Sequence, residues 1–361
     1  MNRHAPIRVL VIDDSAFSRQ TITQMLAPSP LVEVVGWASD GQEALRRTLE
    51  LKPDLITLDL EMPRMDGFTF LRLLMAKRPT PVLVVSARSS GHDVFQALEL
   101  GAVDFIAKPS ARATDDLRSI EEGLIRKVHT VRELRIDKVR ERISATPPVV
   151  TTPNPVAGED VPVVVIGSST GGPAALTQTL AAFANVPHCA FVIAQHMPPG
   201  FTRGFAERLN RMTPFSVREA SGGESLESGT VLIAPGGSHL ELEAAEKRIV
   251  TRIEPDASND RYVPSVDRLF ASAAKHVASG LLAVVLTGMG DDGREGARHV
   301  KQAGGGVIVE SEETAVIYGM PKQVINAGLA DRVLPLNEIP EAIHRAIGTM
   351  QIENTGTRGR A

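Results

Sequence analysis

Little in this sequence suits it to crossing a membrane, to covalent cross-linking or to binding a polyanion. A single cysteine, Cys189, stands among 361 residues. That excludes an intramolecular disulfide, and no Cys/His cluster has zinc-ligand spacing. Cysteine scarcity fits a reducing compartment. No run of about 18 uninterrupted apolar residues occurs, so no helix is expected to span a bilayer. Asp13 and Asp14 break the first apolar run, which leaves no apolar core for a secretory signal. An excess of one charge is also missing. The net charge is -4, so no global basic field would draw the chain onto nucleic acid or an anionic membrane. A cytoplasmic location without membrane insertion or nucleic-acid binding is the expectation.

What is present is a globular profile, 43% hydrophobic and 23% charged, with length for two domains and a linker. Short β-branched runs alternate with helical patterns from Arg8 to Ile106. Expected strands are Arg8–Ile12, Val32–Trp37, Leu55–Asp59, Pro81–Ser86 and Asp104–Ile106. Such alternation with short loops predicts α/β architecture with a doubly wound parallel sheet. Gly123–Ile143 reads as a charged helical stretch with a solvated face. Pro147, Pro148, Pro153, Pro155 and Pro162 then mark an extended linker. A second α/β alternation starts at Val163, with strands at Val163–Ile166, Ala190–Ala194, Val231–Ala234, Leu281–Leu286 and Gly306–Glu310.

In a parallel sheet, functional groups gather at the carboxyl ends of the strands. In the first domain those ends carry Asp13 and Asp14, Asp59, Ser86 and Lys108. Clustered carboxylates favour a hard divalent cation, typically Mg2+. The cation and Lys108 can neutralise an incoming phosphoryl group. Asp59, central in the set, is the expected nucleophile, and Ser86 can donate to a phosphoryl oxygen. Pro109 implies a tight turn after Lys108. Any one strand-end acid alone is usually a solvated loop residue, but the joint pattern resembles the response-regulator receiver family. The resemblance implies phosphorylation of Asp59 by a histidine kinase, magnesium on Asp13, Asp14 and Asp59, and switch roles for Ser86, Phe105 and Lys108.

The second domain opens with a strand and the turn Gly167-Ser168-Ser169-Thr170-Gly171-Gly172. A dinucleotide fingerprint would need glycine at Ser169 and an acid near Gln195 and His196, and has neither. A serine on such a turn suits a hydrolase, exposed above the sheet with backbone amides near an oxyanion. His196 ends the neighbouring strand as a candidate general base, with His239 as its rival. Asp291 or Asp292, on a glycine-rich turn, can orient the imidazole. The order Ser, His, Asp differs from the α/β-hydrolase, chymotrypsin and subtilisin orders.

Four runs carry a specific resemblance: Gly167–Gly172, Gln195-His196-Met197-Pro198, Ala234-Pro235-Gly236-Gly237-Ser238-His239 and Leu286–Gly293, together with Tyr318-Gly319-Met320-Pro321. They are similar to the CheB family of chemotaxis methylesterases. The resemblance implies Ser169 as nucleophile, His196 as base, Asp292 as third member and the Met289 amide in the oxyanion hole. It implies a Rossmann-like esterase domain needing no cofactor. Its expected activity is phosphorylation-regulated demethylation of glutamyl methyl esters, with deamidation of glutamines, on methyl-accepting chemotaxis receptors. The expected partners are those receptors and a chemotaxis histidine kinase. Expected boundaries are 1–125 for the receiver, 126–160 for the linker, 161–350 for the catalytic domain and 351–361 for a disordered tail. The alternative is a non-enzymatic response regulator with a partner-binding output domain.

Overall fold

The computed structural model describes residues 5–86, 91–108, 114–144, 149–151, 161–246, 248–256, 260–277 and 279–358, with the backbone alone at 86, 91–92, 114–119, 140, 142–144 and 350–358. The chain divides into two compact units, Met1–Ala145 and Thr146–Ala361.

The first unit runs β1 (Ile7–Ile12), α1 (Ala16–Leu26), β2 (Val32–Ala38), α2 (Gly41–Leu51), β3 (Leu55–Asp59), α3 (Gly67–Lys77), β4 (Val82–Ser86), α4 (Gly91–Glu99), β5 (Asp104–Ala107), α5 (Thr114–His129) and α6 (Ile136–Ser144). Its strands form one parallel sheet in the order β2-β1-β3-β4-β5. β1 and β3 are apolar on both faces because helices cover both, and their side chains are almost entirely buried. Each such Val, Leu or Ile contributes roughly 1.5–3 kcal/mol by leaving water. Helix starts are fixed locally: Asp40 accepts from the Gln42 and Glu43 amides ahead of α2, and Asp66 from Thr69 ahead of α3.

The charged stretch read as linker from 126 is folded into this unit. It forms the end of α5, a short 3-10 turn at Thr130–Arg132 and then α6, rather than one helix. Its apolar residues explain this, since Val128 and Val131 are buried in the core shared with Val9, Ile22 and Leu26. The basic residues between them mask that stripe in the sequence.

The second unit comprises β6 (Val163–Ser168), α7 (Gly172–Ala181), β7 (Ala190–Gln195), α8 (Thr202–Met212), β8 (Ser216–Glu219), β9 (Thr230–Ile233), β10 (Ser238–Ala245), β11 (Arg248–Pro255), α9 (Val266–His276), β12 (Leu281–Val285), α10 (Arg294–Gln302), β13 (Gly306–Glu310), α11 (Met320–Asn326), β14 (Arg332–Leu334) and α12 (Ile339–Arg358). Seven strands form a parallel sheet in the order β14-β13-β12-β6-β7-β9-β8. The chain winds one way from β6 through β7 and the other way through β12. The ends of β6, β7 and β12 therefore flank the topological switch point, where such sheets place their ligands. β10 and β11 form a separate antiparallel hairpin that the sequence reading did not find. Val150 pairs with Phe183 in this unit, which shortens the expected linker from its other end.

The tail expected to be disordered from 351 continues α12 as helix to Arg358. Ile339, Ile343 and Ile347 are buried along one face and anchor that helix, and no proline follows Pro340 to stop it. Residues 359–361 lie outside the described residues. No helix among the described residues is long and apolar enough to cross a membrane.

Candidate active site

In the first unit, β1, β3 and β5 deliver Asp13 with Asp14, Asp59 and Lys108 to one sheet edge. Oxygens of the three acids lie within 4.8 Å of one another. Asp13 and Asp59 are buried, while Asp14 is exposed. Lys108 Nζ is 2.6 Å from Asp59 Oδ2 and 3.1 Å from Asp13 Oδ2. The Ser15 amide donates to Asp13 Oδ1 at 2.8 Å, but buried Asp13 Oδ2 has no aligned hydrogen-bond donor among the described residues. Burial, then the Asp59 charge, raises the Asp13 pKa, and Lys108 offsets only part of this. Burial alone would lower the Lys108 pKa, yet contact with Asp59 and Asp13 leaves it raised. An all-oxygen donor set of three acids faced by one lysine leaves surplus negative charge and fits a hard divalent cation. Phe105 is buried, edge-on to Phe95 with centroids 6.2 Å apart. Ser86 closes β4 opposite Ala107, but its side chain and Pro109 lie outside the described residues.

In the second unit the two adjacent serines have different surroundings. Ser168 is fully buried and donates to Gln195 Oε1 at 2.6 Å. Gln195 Nε2 in turn donates to the carbonyls of Ser169 and His196 at 2.9 and 3.0 Å. Ser168 is thus sealed inside a polar lock under the turn. Ser169 follows it, its amide bonded to the Thr287 carbonyl at 3.0 Å, and at 9% exposure it is largely buried rather than exposed above the sheet as the sequence led one to expect. Gly171, at φ 78°, makes the left-handed step from this turn into α7.

β6 and β7 pair Ser168 with Gln195, and the His196 amide donates to the Ser168 carbonyl at 3.0 Å. Ser169 and His196 therefore follow neighbouring strand ends. His196 Nε2 meets Asp292 Oδ2 at 2.8 Å. Asp292 is buried and saturated with donors. Oδ2 also accepts from the Val266 amide at 2.7 Å, and Oδ1 accepts from the Ser265 hydroxyl at 3.1 Å and the Asp267 and Gly293 amides at 2.8 and 3.2 Å. Burial would raise this carboxyl, but the contact with His196 and the backbone donors outweigh it, and its pKa lies below the ordinary value. Asp291, by contrast, is half-exposed and faces Tyr262 and Arg261.

Asp267 is the carboxyl next to Asp292. It accepts from the Gly293 and Gly296 amides at 2.9 and 2.6 Å, so each acid caps the helix that carries or follows the other. Burial, with the Asp292 charge adding, pushes Asp267 up to about 6. Met289 lies on the turn before Asp292, and no protein acceptor takes its amide among the described residues. Gly288 packs against Ser169: a Cβ there would come within 2.9 Å of the serine Cβ.

The rival base His239 is fully buried and reaches the Asp292 cluster only through Ser265. Its Nδ1 accepts from the Ser265 amide at 3.2 Å, so Nε2 keeps its proton and faces Asp260 at 3.2 Å. That tautomer also leaves no lone pair for a cation beside Asp256 and Asp260, although the three donors lie close together. The sequence reading missed Tyr262, Ser265 and Asp267. The last two carried a signal, since a serine followed by an acid ahead of Leu269, Phe270 and Ala273 marks a helix start. Nothing in the sequence singled out Tyr262.

Fold and site define a class: a receiver-type phosphoacceptor unit joined to an α/β unit with a Ser–His–Asp cluster at its switch point. Residues 164–343 match the CheB methylesterase family and residues 9–119 the response regulator receiver domain. A Geobacter sulfurreducens relative, protein-glutamate methylesterase/protein-glutamine glutaminase 3, is 46% identical over 95% of this chain and 98% of its own. A Myxococcus xanthus relative, protein-glutamate methylesterase/protein-glutamine glutaminase 1, is 47% identical over the same shares. The crystal structure of the Thermotoga maritima CheB methylesterase catalytic domain is 44% identical, covering 52% of this chain and 98% of that one with TM-score 0.50. The chain belongs to the CheB methylesterase family, with a receiver domain ahead of the catalytic domain.

Proposed function

We propose that this chain removes methyl groups from glutamyl methyl esters of chemotaxis receptors, and amide groups from receptor glutamines, under control of phosphorylation at Asp59. The observation that carries the chemistry is the His196–Asp292 contact of 2.8 Å beside the strand end that bears Ser169. Asp292 occupies Nε2, so Nδ1 is the nitrogen left to take the serine proton. Ser169 Oγ attacks the side-chain carbonyl carbon, and its proton passes to His196 Nδ1. Asp292, held ionised by its donors, stabilises the imidazolium. The Met289 amide donates to the carbonyl oxygen as it gains charge. The tetrahedral centre collapses, the C–O or C–N bond breaks, and His196 returns the proton to methanol or ammonia. Water then attacks the acyl-enzyme carbonyl as His196 takes its proton, the C–Oγ bond breaks, His196 returns the proton to Ser169, and the receptor leaves with a glutamate side chain.

In the receiver, an Asp59 oxygen attacks the phosphorus of a kinase phosphohistidine, forming an O–P bond as the N–P bond breaks. Magnesium held by Asp13, Asp14 and Asp59 would supply charge neutralisation for the phosphoryl oxygens. Lys108 is placed to exchange its Asp59 contact for a phosphoryl oxygen, with Ser86 and Phe105 in the switch roles. This reading places the protein in the cytoplasm, with receptors and a chemotaxis histidine kinase as partners.

The test is methanol release from methylated receptor membranes. Ser169→Ala is expected to lose at least about 10³-fold in turnover. Ser168→Ala, whose hydroxyl is locked to Gln195, is expected to keep most of it. Normal release by Ser169→Ala sinks the assignment.

A further inference from the structure

A histidine base must be fixed in two ways: one ring nitrogen has to be anchored, and the plane of the ring has to be set. The Asp292 contact does only the first. A ring tied at Nε2 alone can still rock about that bond, and rocking swings Nδ1 away from the serine. The second restraint comes from Tyr262. Its ring stacks on the His196 ring with centroids 4.9 Å apart and planes 9° from parallel.

Tyr262 is itself held in place. Its hydroxyl reaches Asp291 Oδ1 at 3.4 Å, and the Arg261 guanidinium lies over its ring at 5.1 Å. Gly290, at φ 92°, makes room: a Cβ there would stand 2.1 Å from the tyrosine oxygen. Burial, partly countered by Arg261, raises the tyrosine pKa, so the hydroxyl remains a donor. Three residues further on, Ser265 donates to Asp292. The segment from Tyr262 to Ser265 thus touches both the base and its acid.

We propose that Tyr262 is a positioning residue for the esterase, its ring setting the plane of the His196 imidazole so that Nδ1 faces Ser169. The inference rests on the reading of Ser169, His196 and Asp292 as the reacting set. A misplaced base costs turnover rather than substrate affinity, and small displacements cost up to about 10²-fold.

The experiment measures kcat and KM for methanol release from methylated receptor membranes by the full-length chain, with Tyr262→Leu, Tyr262→Ala and Tyr262→Phe. Labelling of the serine by a fluorophosphonate is followed in parallel, and thermal unfolding checks that each variant folds. Leucine keeps apolar bulk but has no flat face, so it decides the matter if alanine disturbs the fold. The leucine variant is expected to lose about 10- to 100-fold in kcat and in labelling rate, with KM within about 3-fold of the parent. Phenylalanine keeps the flat face and is expected to restore kcat to within about 3-fold. Parent-like kcat in the leucine variant overturns the proposal, as does a phenylalanine variant no better than leucine. A parent chain that releases no methanol, or a Ser169→Ala chain that still does, would instead overturn the functional reading itself.

Discussion

At the scale of single residues, spacing alone left adjacent pairs open, the family resemblance chose Ser169 and Asp292, and the surroundings of each pair show how its members differ. Ser168 and Ser169 are chemically identical, but Ser168 is held in the Gln195 lock at the end of β6, while Ser169 begins the turn beyond it, its side chain outside that lock and still largely buried at 9% exposure. Asp291 and Asp292 differ on the turn between β12 and α10, one facing Tyr262 and the other receiving His196. Tyr262 was not legible because its contacts are non-local and no pattern marks it; the helix-start signal at Asp267 says nothing of its place beside Asp292. Asp267 yields a testable pH effect. An acid whose folded pKa exceeds its unfolded value holds its proton more tightly when folded. That advantage is complete below the ordinary value of 3.8 and gone once pH passes about 6. Asn at 267 keeps an acceptor oxygen for the Gly293 and Gly296 amides without the charge beside Asp292. Asp267→Asn should therefore stabilise the second unit at pH 7.5 by on the order of 1–2 kcal/mol, after allowance for partial solvent access. Below pH 4 the gain should vanish. Urea unfolding at the two pH values checks this, and a gain of equal size at both would refute it.

At the scale of elements, the inner strands of the parallel sheets were readable because both faces are buried and the apolar runs are nearly continuous, whereas the short, partly exposed edge strands β8 and β14 were missed. The β10–β11 hairpin escaped notice because it is buried on one face only. Leu240 and Leu242 point into the core while Glu241, Glu243 and Arg252 interrupt the apolar pattern. The junction of α9 with the turn before α10 carries a prediction of its own. Ser265 caps α9 by accepting from the Arg268 amide and also donates to Asp292. Ser265→Ala should destabilise the second unit by about 1 kcal/mol, the usual worth of a cap. Turnover should fall only a few-fold, roughly, because Val266, Asp267 and Gly293 still donate to Asp292. Denaturant unfolding and methanol release measure the two effects. A loss as deep as that of Ser169→Ala would show the serine to be more than a brace.

At the scale of the whole molecule, the acidic pocket around Asp59 and the Ser169, His196 and Asp292 set lie in separate compact units. Their order along the chain was readable, but the reach of each unit was not. Val128 and Val131 on one side and Val150 on the other show their allegiance only through burial. Separation predicts that chemistry and its control can be dissected. Asp59→Asn should take no phosphoryl label from acetyl phosphate and magnesium, whereas the parent takes label. Its unstimulated methanol release should stay within about 2-fold of the parent, because neither chain carries a phosphoryl group before the phosphodonor is added. Label on the Asp59→Asn chain equal to that on the parent would remove Asp59 from its role.

The pairing of β6 with β7 has a consequence for how this chain tolerates change in length. Serine and histidine stand one step beyond a matched pair on strands about 4.8 Å apart. Their meeting depends on the two strands keeping step. One residue gained or lost within either strand would turn its terminal side chain to the opposite face of the sheet. Such a chain would retain the same outline and most of its core, yet be chemically silent. Gaps in the loops that lead into these strands should be far better tolerated, so the register of a dozen residues serves as a marker of competence that overall similarity does not reveal.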